Sequence, residues 1–490
     1  MYRRKNLSKS KYINGLQCIK LLWVSINDAA RLPAYDAATQ HVFDQGHIIG
    51  ELAQRLYPGG IKLETDNIGV NLKETTVSLK LRKPLFEAAF SGNRLYCRVD
   101  ILNPSGGEAW DIVEVKSTND VKDEQLYDVA FQRHCCLLNG MRINRCHIMH
   151  LNREYDKQGG IDPRQLFVTE DVTDRLVEFS DGLETCIEEM LAVIDSDKCP
   201  ETAIGRHCNA PYSCLLQEEC WKHLSEHNVM TLYSGKKLGE DLMSHGILDI
   251  SNIPDDTKLS DKQQIQKECV ICGEPHVDAA EIKSFLNGLK YPLHFMDFET
   301  FATAIPIYDG TSPYLNIPFQ FSLHVITKPG AMVEHYEFLA EGKEDPRPAF
   351  LVQLKQDIGP KGSILVYYAA FEKSRLEELA EAFPKYQSWV ENINERIVDL
   401  NVPFKDFSYY HPQQLGSSSL KHVLPVMTNL SYRDMDIGEG NTASLKYMEA
   451  AFEDITEKER QKIRHDLSIY CGQDTGGMIE ILKKLQESVN

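Results

Sequence analysis

No apolar run in the sequence approaches the ~20 residues that a membrane span requires, and the basic N-terminus leads into Tyr12-Ile13-Asn14-Gly15-Leu16-Gln17, too polar for the apolar centre of a signal peptide. A cytoplasmic location without membrane contact is expected. Net positive charge is missing as well. The formal charge of -19 sets up a long-range field that repels phosphate, which excludes nucleic-acid binding by bulk charge and confines any such contact to local groups. Local basic segments exist at Arg3, Arg4, Lys5, Lys9 and Lys11, and at Lys80, Arg82 and Lys83; solvated charge explains them equally well. The 13 cysteines are too few and too unevenly spaced, in a chain of 490 residues, for a secreted disulfide scaffold, so reduced thiols or metal ligands are expected. There is no internal repeat and no low-complexity tract.

A chain of this length with 42% apolar residues exceeds what one hydrophobic core usually supports, and two or three domains are expected. Composition separates three zones. In residues 1–225, helical patterns flank two short strand-like runs, and the zone ends in a cysteine-rich stretch from Cys208 to Cys220. Residues 226–285 are polar, with turn signals at Ser234-Gly235-Lys236-Lys237 and Pro254-Asp255-Asp256 and a short helical piece from Leu238 to Ser244, which reads as a small helical connector. In residues 286–490 the runs Pro292 to Met296, Phe319 to Ile326, Ile364 to Tyr368 and Ile397 to Leu400 alternate with amphipathic helices, the pattern of a second α/β domain.

Two carboxylate constellations carry chemistry. In the first zone Leu95 to Asp100 reads as a strand ending in a carboxylate and Asp111 to Lys116 as the next strand, joined by a turn containing Pro104-Ser105-Gly106-Gly107. Strand alternation puts Glu114 and Lys116 on one face and Val113 and Val115 on the core face. A carboxylate from each strand can hold a divalent cation such as Mg or Mn, which activates water and neutralises phosphate charge, while a neighbouring lysine steadies the water or the oxyanion. Asp100 followed by Glu114-Val115-Lys116 resembles the PD-(D/E)XK nucleases, with their restriction-endonuclease-like fold, and more narrowly their RecB-like branch. Gly46-His47-Ile48-Ile49-Gly50-Glu51-Leu52-Ala53 matches the helical histidine motif of that branch, with Ile49, Leu52, Ala53 and Leu56 as the core stripe and His47 as a metal ligand. Ala130-Phe131-Gln132 matches the helix whose glutamine lies beside the active site, although Cys136 stands where an aromatic is usual.

Cys208, Cys214 and Cys220 are separated by five residues each. Three thiolates leave a soft-metal site one ligand short, and the distant Cys18 can complete it. One cysteine near the start and three after the nuclease core resembles the iron-sulfur RecB-like nucleases, including CRISPR-adaptation members, and that resemblance implies a 4Fe-4S cluster on Cys18, Cys208, Cys214 and Cys220. A structural zinc with four cysteine ligands is the alternative, and ordinary buried cysteines the next. Cys269-Val270-Ile271-Cys272 with His276 is half a zinc site at best.

In the last zone Asp297-Phe298-Glu299 places two carboxylates on one face of an apolar strand, at a spacing suited to bridging metal ions. Tyr470 and Asp474 lie one turn apart on a helical stretch and share a face, where the tyrosine can orient an attacking water. Between them Ile364 to Tyr368 reads as a strand running into a helix start that offers Glu372. The order resembles the tyrosine-bearing DEDD exonucleases of the RNase H-like superfamily, which implies a mixed-sheet domain, two metal ions and hydrolysis from the 3-prime end. The middle motif departs, with Tyr368 for asparagine and Glu372 for aspartate, and Asp399 is the substitute candidate. Tyr410-His411-Pro412 through Gly416-Ser417-Ser418-Ser419-Leu420-Lys421 further resembles a bacterial family in which this domain follows a RecB-like nuclease. The resemblances together imply a two-site metal-dependent nuclease acting on DNA, with RNA trimming as the enzymatic alternative and a cluster-bearing DNA-binding or scaffold factor as the non-enzymatic one.

Overall fold

The computed structural model describes residues 5–63, 65 and 67–490; Arg3 and Arg4 of the basic N-terminal segment lie outside the described residues. The chain is mixed α/β and divides into two compact units. Unit 1 runs to His223 and takes in Thr303–Leu315, and unit 2 comprises Leu224–Ala302 and Asn316–Asn490. Residues 226–285, expected as a separate connector, thus belong to unit 2. No described helix is long and apolar enough to cross a membrane.

Unit 1 is built on a seven-stranded mixed sheet. Its strands are β1 (Leu7–Ser8), β2 (Ile61–Lys62), β3 (Leu85–Gly92), β4 (Leu95–Pro104), β5 (Trp110–Val115), β6 (Ile143–Leu151) and β7 (Phe167–Asp171). They run in the order β2-β3-β4-β5-β6-β7, with β1 beside β4. The sequence pattern exposes two of these strands and hides five. The sheet is covered on both faces, so strands such as β3 and β6 lose the alternation that marks a half-buried strand. The β4–β5 hairpin has the register Ile101↔Val113 and Asn103↔Asp111. Across the other edge of β4, Glu87 lies between the pairs Phe86↔Ile101 and Ala88↔Val99, opposite Asp100, with a left-handed φ of 58°.

Two helices cover one face of this sheet, α1 (Lys9–Gln17) and, later in the chain, a helix over Asp123–Leu138. Tyr12 stacks on Phe131 at 4.8 Å between them, over Val99, Ile112 and Leu126. After α2 (Ile19–Asn27), α3 (Ala37–Gln54) packs on the opposite face. Its stripe Ile49, Leu52 and Ala53 is buried against Ile101 and Val113, with Leu56 partly buried beside it. After α4 (Ile68–Ser78), the helix over Asp123–Leu138 is α5, and α6 (Leu183–Asp195) lies further along the chain.

Unit 2 is organised by a five-stranded sheet. The short β8 (His276–Val277) precedes it; its strands are β9 (Leu293–Phe301), β10 (Ile317–Ile326), β11 (Glu334–Leu339), β12 (Ile364–Val366) and β13 (Ile397–Asp399), in the order β11-β10-β9-β12-β13. The first three are antiparallel, and β12 and β13 join parallel to β9. β11 escaped the sequence reading because Glu334-His335-Tyr336-Glu337 is polar, as suits a solvent-facing edge strand. β14 (Tyr409–Tyr410) pairs with β8 in a separate ribbon. Four helices position the chemistry: α7 (Ala369–Ala382), α8 (Leu420–Met427), α9 (Gly440–Phe452) and the long α10 (Glu457–Glu487). On one sheet face Met296, Phe321 and Val366 pack on Leu376 and Leu379 of α7. On the other, Phe295 and Leu365 pack on Leu424 of α8 and on Met478 and Leu482 of α10.

Gly362 sets the entry of β12 against β9. Its φ is 89°, and a Cβ there would lie 1.9 Å from the Pro292 carbonyl oxygen. The left-handed backbone alone would cost a substituted residue ~1–2 kcal/mol, but an overlap with main chain decides the sign. Gly362→Ala is therefore expected to destabilise unit 2 by more than ~2 kcal/mol, read as a lower urea midpoint for that unit; an unchanged midpoint would contradict the packing described.

Candidate functional site

In unit 1 the structure brings Asp100, Glu114, Lys116 and Gln132 together. Glu114 is 1% exposed, and both its oxygens are engaged. Oε1 accepts from Lys116 Nζ and from Lys9 Nζ, each at 2.8 Å, and Oε2 accepts from Gln132 Nε2 at 2.6 Å. Asp100 Oδ2 accepts the Val115 backbone N–H at 2.9 Å. Burial works to raise the Glu114 pKa, but the two lysines prevail and hold it well below the usual carboxylate range. Among the described residues, no lysine or arginine bonds directly to Asp100. Burial and the Glu114 charge push it up to about 7. A buried Glu114 and a half-buried Asp100 with pKa values driven apart are the arrangement in which one holds its charge while the other can exchange a proton or a cation.

Two members of this group escaped sequence reading. Lys9 stood only in a basic segment, and it takes α1 packing over the sheet to deliver its ammonium to Glu114. Asp128 accepts from Lys116 Nζ at 2.6 Å. Its signal was present, because Asp128 precedes Gln132 by one turn of α5 and so shares its face. His47 is exposed on α3, and among the described residues no hydrogen bond or ion pair joins its ring to Asp100 or Glu114. The same α3 face that buries Ile49 and Leu52 leaves His47 pointing to solvent.

The four cysteines also converge. Cys18 is the residue preceding α2, and it packs with Cys208, Cys214 and Cys220 around Leu21, Val24 and Leu216. Burial raises the Cys214 thiol, and Cys18, Cys208 and Cys220 are near enough to raise it further. Gln17 Nε2 donates to the carbonyls of His207 and Tyr212 at 2.8 and 2.7 Å, which ties the end of α1 to the cysteine loop. Lys20 Nζ donates to Cys220 Sγ at 3.3 Å. A fifth cysteine, Cys199, belongs to the same cluster and was not anticipated. Cys269 and Cys272 show no comparable gathering: Cys269 is buried against Phe407 and Tyr410, and Cys272 is exposed.

In unit 2 a cavity of about 630 Å³ is lined by Asp297, Glu299, Glu372, Tyr470 and Asp474. Each side chain owes its place to local periodicity. Asp297 and Glu299 alternate to one face of β9, and Tyr470 and Asp474 lie one turn apart on α10. Glu372 enters from the first turn of α7. Glu299 and Asp474 are each 7% exposed and Glu372 2%. Among the described residues, Lys421 is the single lysine or arginine that lines the cavity. Burial first, then mutual repulsion, raises Asp297 and Glu299 well above the carboxylate range. Burial pushes Asp474 up to about 7, against the opposing influence of Tyr432 and Lys421. Glu372 is pushed up to about 8 by burial and by Asp399, and its Oε2 is buried without a hydrogen-bond partner. The Tyr470 phenol is held protonated by burial and the acids around it.

The structure also separates the two candidates for the middle acid. Asp399 Oδ1 accepts the backbone N–H groups of Tyr368 and Asn401 at 3.0 and 2.9 Å, and Oδ2 that of Ala369 at 3.1 Å. Asp399 is thus spent on backbone at the start of α7. It holds Tyr368 at a left-handed φ of 80°, and that turn aims Glu372 inward.

Three residues beyond the sequence reading belong to this site. Lys421 faces Glu299 and Asp474, and the Tyr432 hydroxyl donates to Asp474 Oδ1. No spacing rule points to Tyr432, which sits in an irregular loop. Cys471 groups with Asp297 and Glu299, their ligand atoms all within 4.8 Å. Burial keeps Cys471 a neutral thiol, so Asp474, one turn face away on the same helix, is the better partner for a hard cation.

Residues 294–419 match a domain of unknown function, DUF2779. The chain is 28% identical over 224 residues to the uncharacterized protein UU173 of Ureaplasma parvum, a match covering 40% of this chain and 32% of that protein. It is 28% identical over 220 residues to the MG366 homolog of Mycoplasma pneumoniae, covering 41% and 33%, and 25% identical over 228 residues to MG366 of Mycoplasma genitalium, covering 43% and 34%. The chain spans about a third of the length of these relatives. The matched domain contains Asp297, Glu299 and Glu372 and ends just before Lys421.

Proposed function

We propose that the chain is a metal-dependent nuclease with one site in each unit, hydrolysing phosphodiester bonds of DNA, and that unit 2 trims strands from the 3-prime end. The observation that carries this reading is the cavity of unit 2. Four carboxylates from three separate segments converge there, with the exposed Glu439 a fifth, against a single lysine among the described residues, and burial makes the shared ionisation of the four costly unless cations join them. The donors are hard carboxylate oxygens, which suit Mg or Mn. Asp297, Glu299 and Asp474 would hold the ions, with Glu372 as the further acid whose Oε2 lacks a protein partner. Bound there, such ions supply an activated water and charge neutralisation at phosphate. Tyr470, kept protonated, can donate a hydrogen bond that fixes the attacking water, and Tyr432 orients the Asp474 carboxylate.

The strand order β11-β10-β9-β12-β13, three antiparallel strands followed by two parallel ones, supports the RNase H-like reading of unit 2. In unit 1 the RecB-like reading is supported by Asp100 and Glu114 on adjacent antiparallel strands, with Lys116 and Gln132 both bonded to Glu114. Asp100 and Glu114 would be the metal ligands there, and Lys9 already places a positive charge beside Glu114. The gathering of Cys18, Cys208, Cys214 and Cys220 supports a 4Fe-4S cluster, with structural zinc as the alternative. Either would fasten the start of α2 to the segment after α6, closing a long loop.

Three outcomes are expected. In a degradation assay on end-labelled DNA and RNA with Mn or Mg, Lys116→Ala should abolish one activity and Asp474→Asn the other; full activity in both variants would overturn the reading. The second outcome concerns stability. A carboxylate whose folded pKa is raised contributes stability that is complete below its unfolded value near 4 and is lost as pH rises through the folded value. With Asp474 at about 7 and Glu372 at about 8, chelator-treated protein should melt several degrees lower at pH 8 than at pH 6, at roughly 2–4 °C per kcal/mol. Mn should recover that loss at pH 8, and Asp474→Asn should blunt both effects; an Mn response unaltered by the substitution would place the ion elsewhere. Third, protein purified without oxygen should be brown and Cys214→Ser colourless, whereas a colourless, zinc-bearing wild type would transfer the site to zinc.

A further inference from the structure

A second cavity, of about 610 Å³, shares Asp297, Tyr470 and Asp474 with the acid-lined one and extends to Gly416-Ser417-Ser418-Ser419. This loop is rigidly seated. Gly416 has a φ of 73°, and a Cβ there would lie 2.2 Å from the Thr231 carbonyl oxygen, so only glycine fits. Tyr367 donates its hydroxyl to the Ser418 carbonyl at 2.7 Å, and Gln414 Nε2 donates to the Ser417 carbonyl at 3.1 Å. The loop leads directly into α8, whose N-terminus has no side-chain cap. Among the described residues, the backbone N–H groups of Ser418, Leu420 and Lys421 donate to no protein acceptor. Uncapped N–H groups at a helix start attract an anion, and the Lys421 ammonium lies on the same side.

Two further observations point to a ligand that is more than an anion. Asn401 is 7% exposed and lines this cavity, and its Oδ1 is buried without a hydrogen-bond partner. A buried acceptor left unpaired costs ~1–3 kcal/mol, which a donor on a bound molecule would offset. Tyr368 is 56% exposed and lines both cavities. Its backbone is fixed by Asp399, so an exposed ring stands preset at the junction.

We propose that Gly416–Ser419, the first N–H groups of α8 and Lys421 hold a phosphate of a single-stranded DNA substrate, and that Tyr368 stacks on the base of the adjoining nucleotide. The assignment rests on the nuclease reading of unit 2 and adds to it the residues that deliver the strand. Lys421 offsets the repulsion that the acids exert on an incoming phosphate. Asn401, turned toward the cavity, accepts from a sugar hydroxyl or a base N–H. The cavity volume falls in the range that encloses one small ligand, so the subsite takes one nucleotide next to the bond to be cut.

The test measures binding apart from cleavage. Full-length Asp474→Asn protein in magnesium buffer is titrated with a short fluorescent single-stranded oligothymidylate, with inorganic phosphate as competitor. Adding Lys421→Gln should weaken binding ~10-fold or more, with Lys421→Arg restoring most of it. Adding Tyr368→Asn, which tolerates the left-handed backbone, should weaken it ~5- to 100-fold, while Tyr368→Trp retains it. Phosphate should compete with the oligonucleotide but not after Lys421→Gln. Binding unchanged by both Lys421→Gln and Tyr368→Asn, alongside normal wild-type cleavage, overturns the subsite and leaves the nuclease reading standing. Binding that depends on both residues, with no cleavage by wild type on any strand, leaves the subsite standing and overturns the nuclease reading.

Discussion

Mutual repulsion among buried carboxylates is the constraint around which unit 2 is arranged. Asp297, Glu299, Glu372 and Asp474 share one cavity with one lysine, and none of them has an ion-pair partner within salt-bridge distance among the described residues. Charge of one sign concentrated in a poorly solvated space is unfavourable, so the fold must hold it by force of packing. It does so with a central strand and a long helix. β9 lies in the middle of the sheet, paired on both sides, and α10 is 31 residues long, anchored by Met478, Ile481, Leu482 and Leu485. The third acid comes from α7, whose start is fixed by Asp399. A cost paid in electrostatics is thus met by hydrophobic burial elsewhere, as at many functional sites.

Unit 1 meets the same problem differently. There the acid pair is bracketed by Lys9 and Lys116 and by the Gln132 amide, so Glu114 is satisfied by protein groups alone and Asp100 carries the raised pKa. The contrast bears on what each site can do. A cavity whose acids lack ion-pair partners favours cations, whereas an acid that already has two ammonium partners has its charge balanced by the protein and would take a cation only by giving up one of them. Lys9 is the group that would have to yield for a cation to take two carboxylates at once. It reaches Glu114 from a helix far away in the chain, and that helix also leads, through Gln17, to the cysteine loop. The cysteine cluster and the first acid site therefore share α1 as a common support.

What was legible in the sequence follows from periodicity. Pairs set by strand alternation or by a helical turn, such as Asp297 with Glu299, Tyr470 with Asp474 and Glu114 with Lys116, were readable because both members lie on one short element whose geometry is fixed. The four cysteines were readable through a resemblance of spacing, and the structure adds Cys199, which has none. Lys9, Tyr432 and Lys421 were not readable as site residues, because each reaches its acid through tertiary packing that no local pattern encodes. Five strands of the first sheet were lost for other reasons: β1 and β2 are two residues long, β7 is largely exposed, and in β3 and the second half of β6 burial on both faces erases alternation. Asp399 shows the opposite failure. As a lone acid at a strand end it competed with Glu372, and only the three backbone N–H groups it accepts set it apart from the acids that line the cavity.

The net charge of the chain ties these observations together. A protein at -19 repels a polyanion at long range, so recognition of a strand cannot begin with diffuse attraction. Were a strand bound, it would have to meet positive charge that is local, and in unit 2 Lys421 lies beside the uncapped start of α8, in the same pair of cavities as the acids. Screening by salt over ~10 Å weakens the distant repulsion more than it weakens a contact at hydrogen-bond range. On the proposed reading, the global charge would act as a filter on where phosphate settles rather than as a bar to binding, and the acids would draw cations to the same cavities.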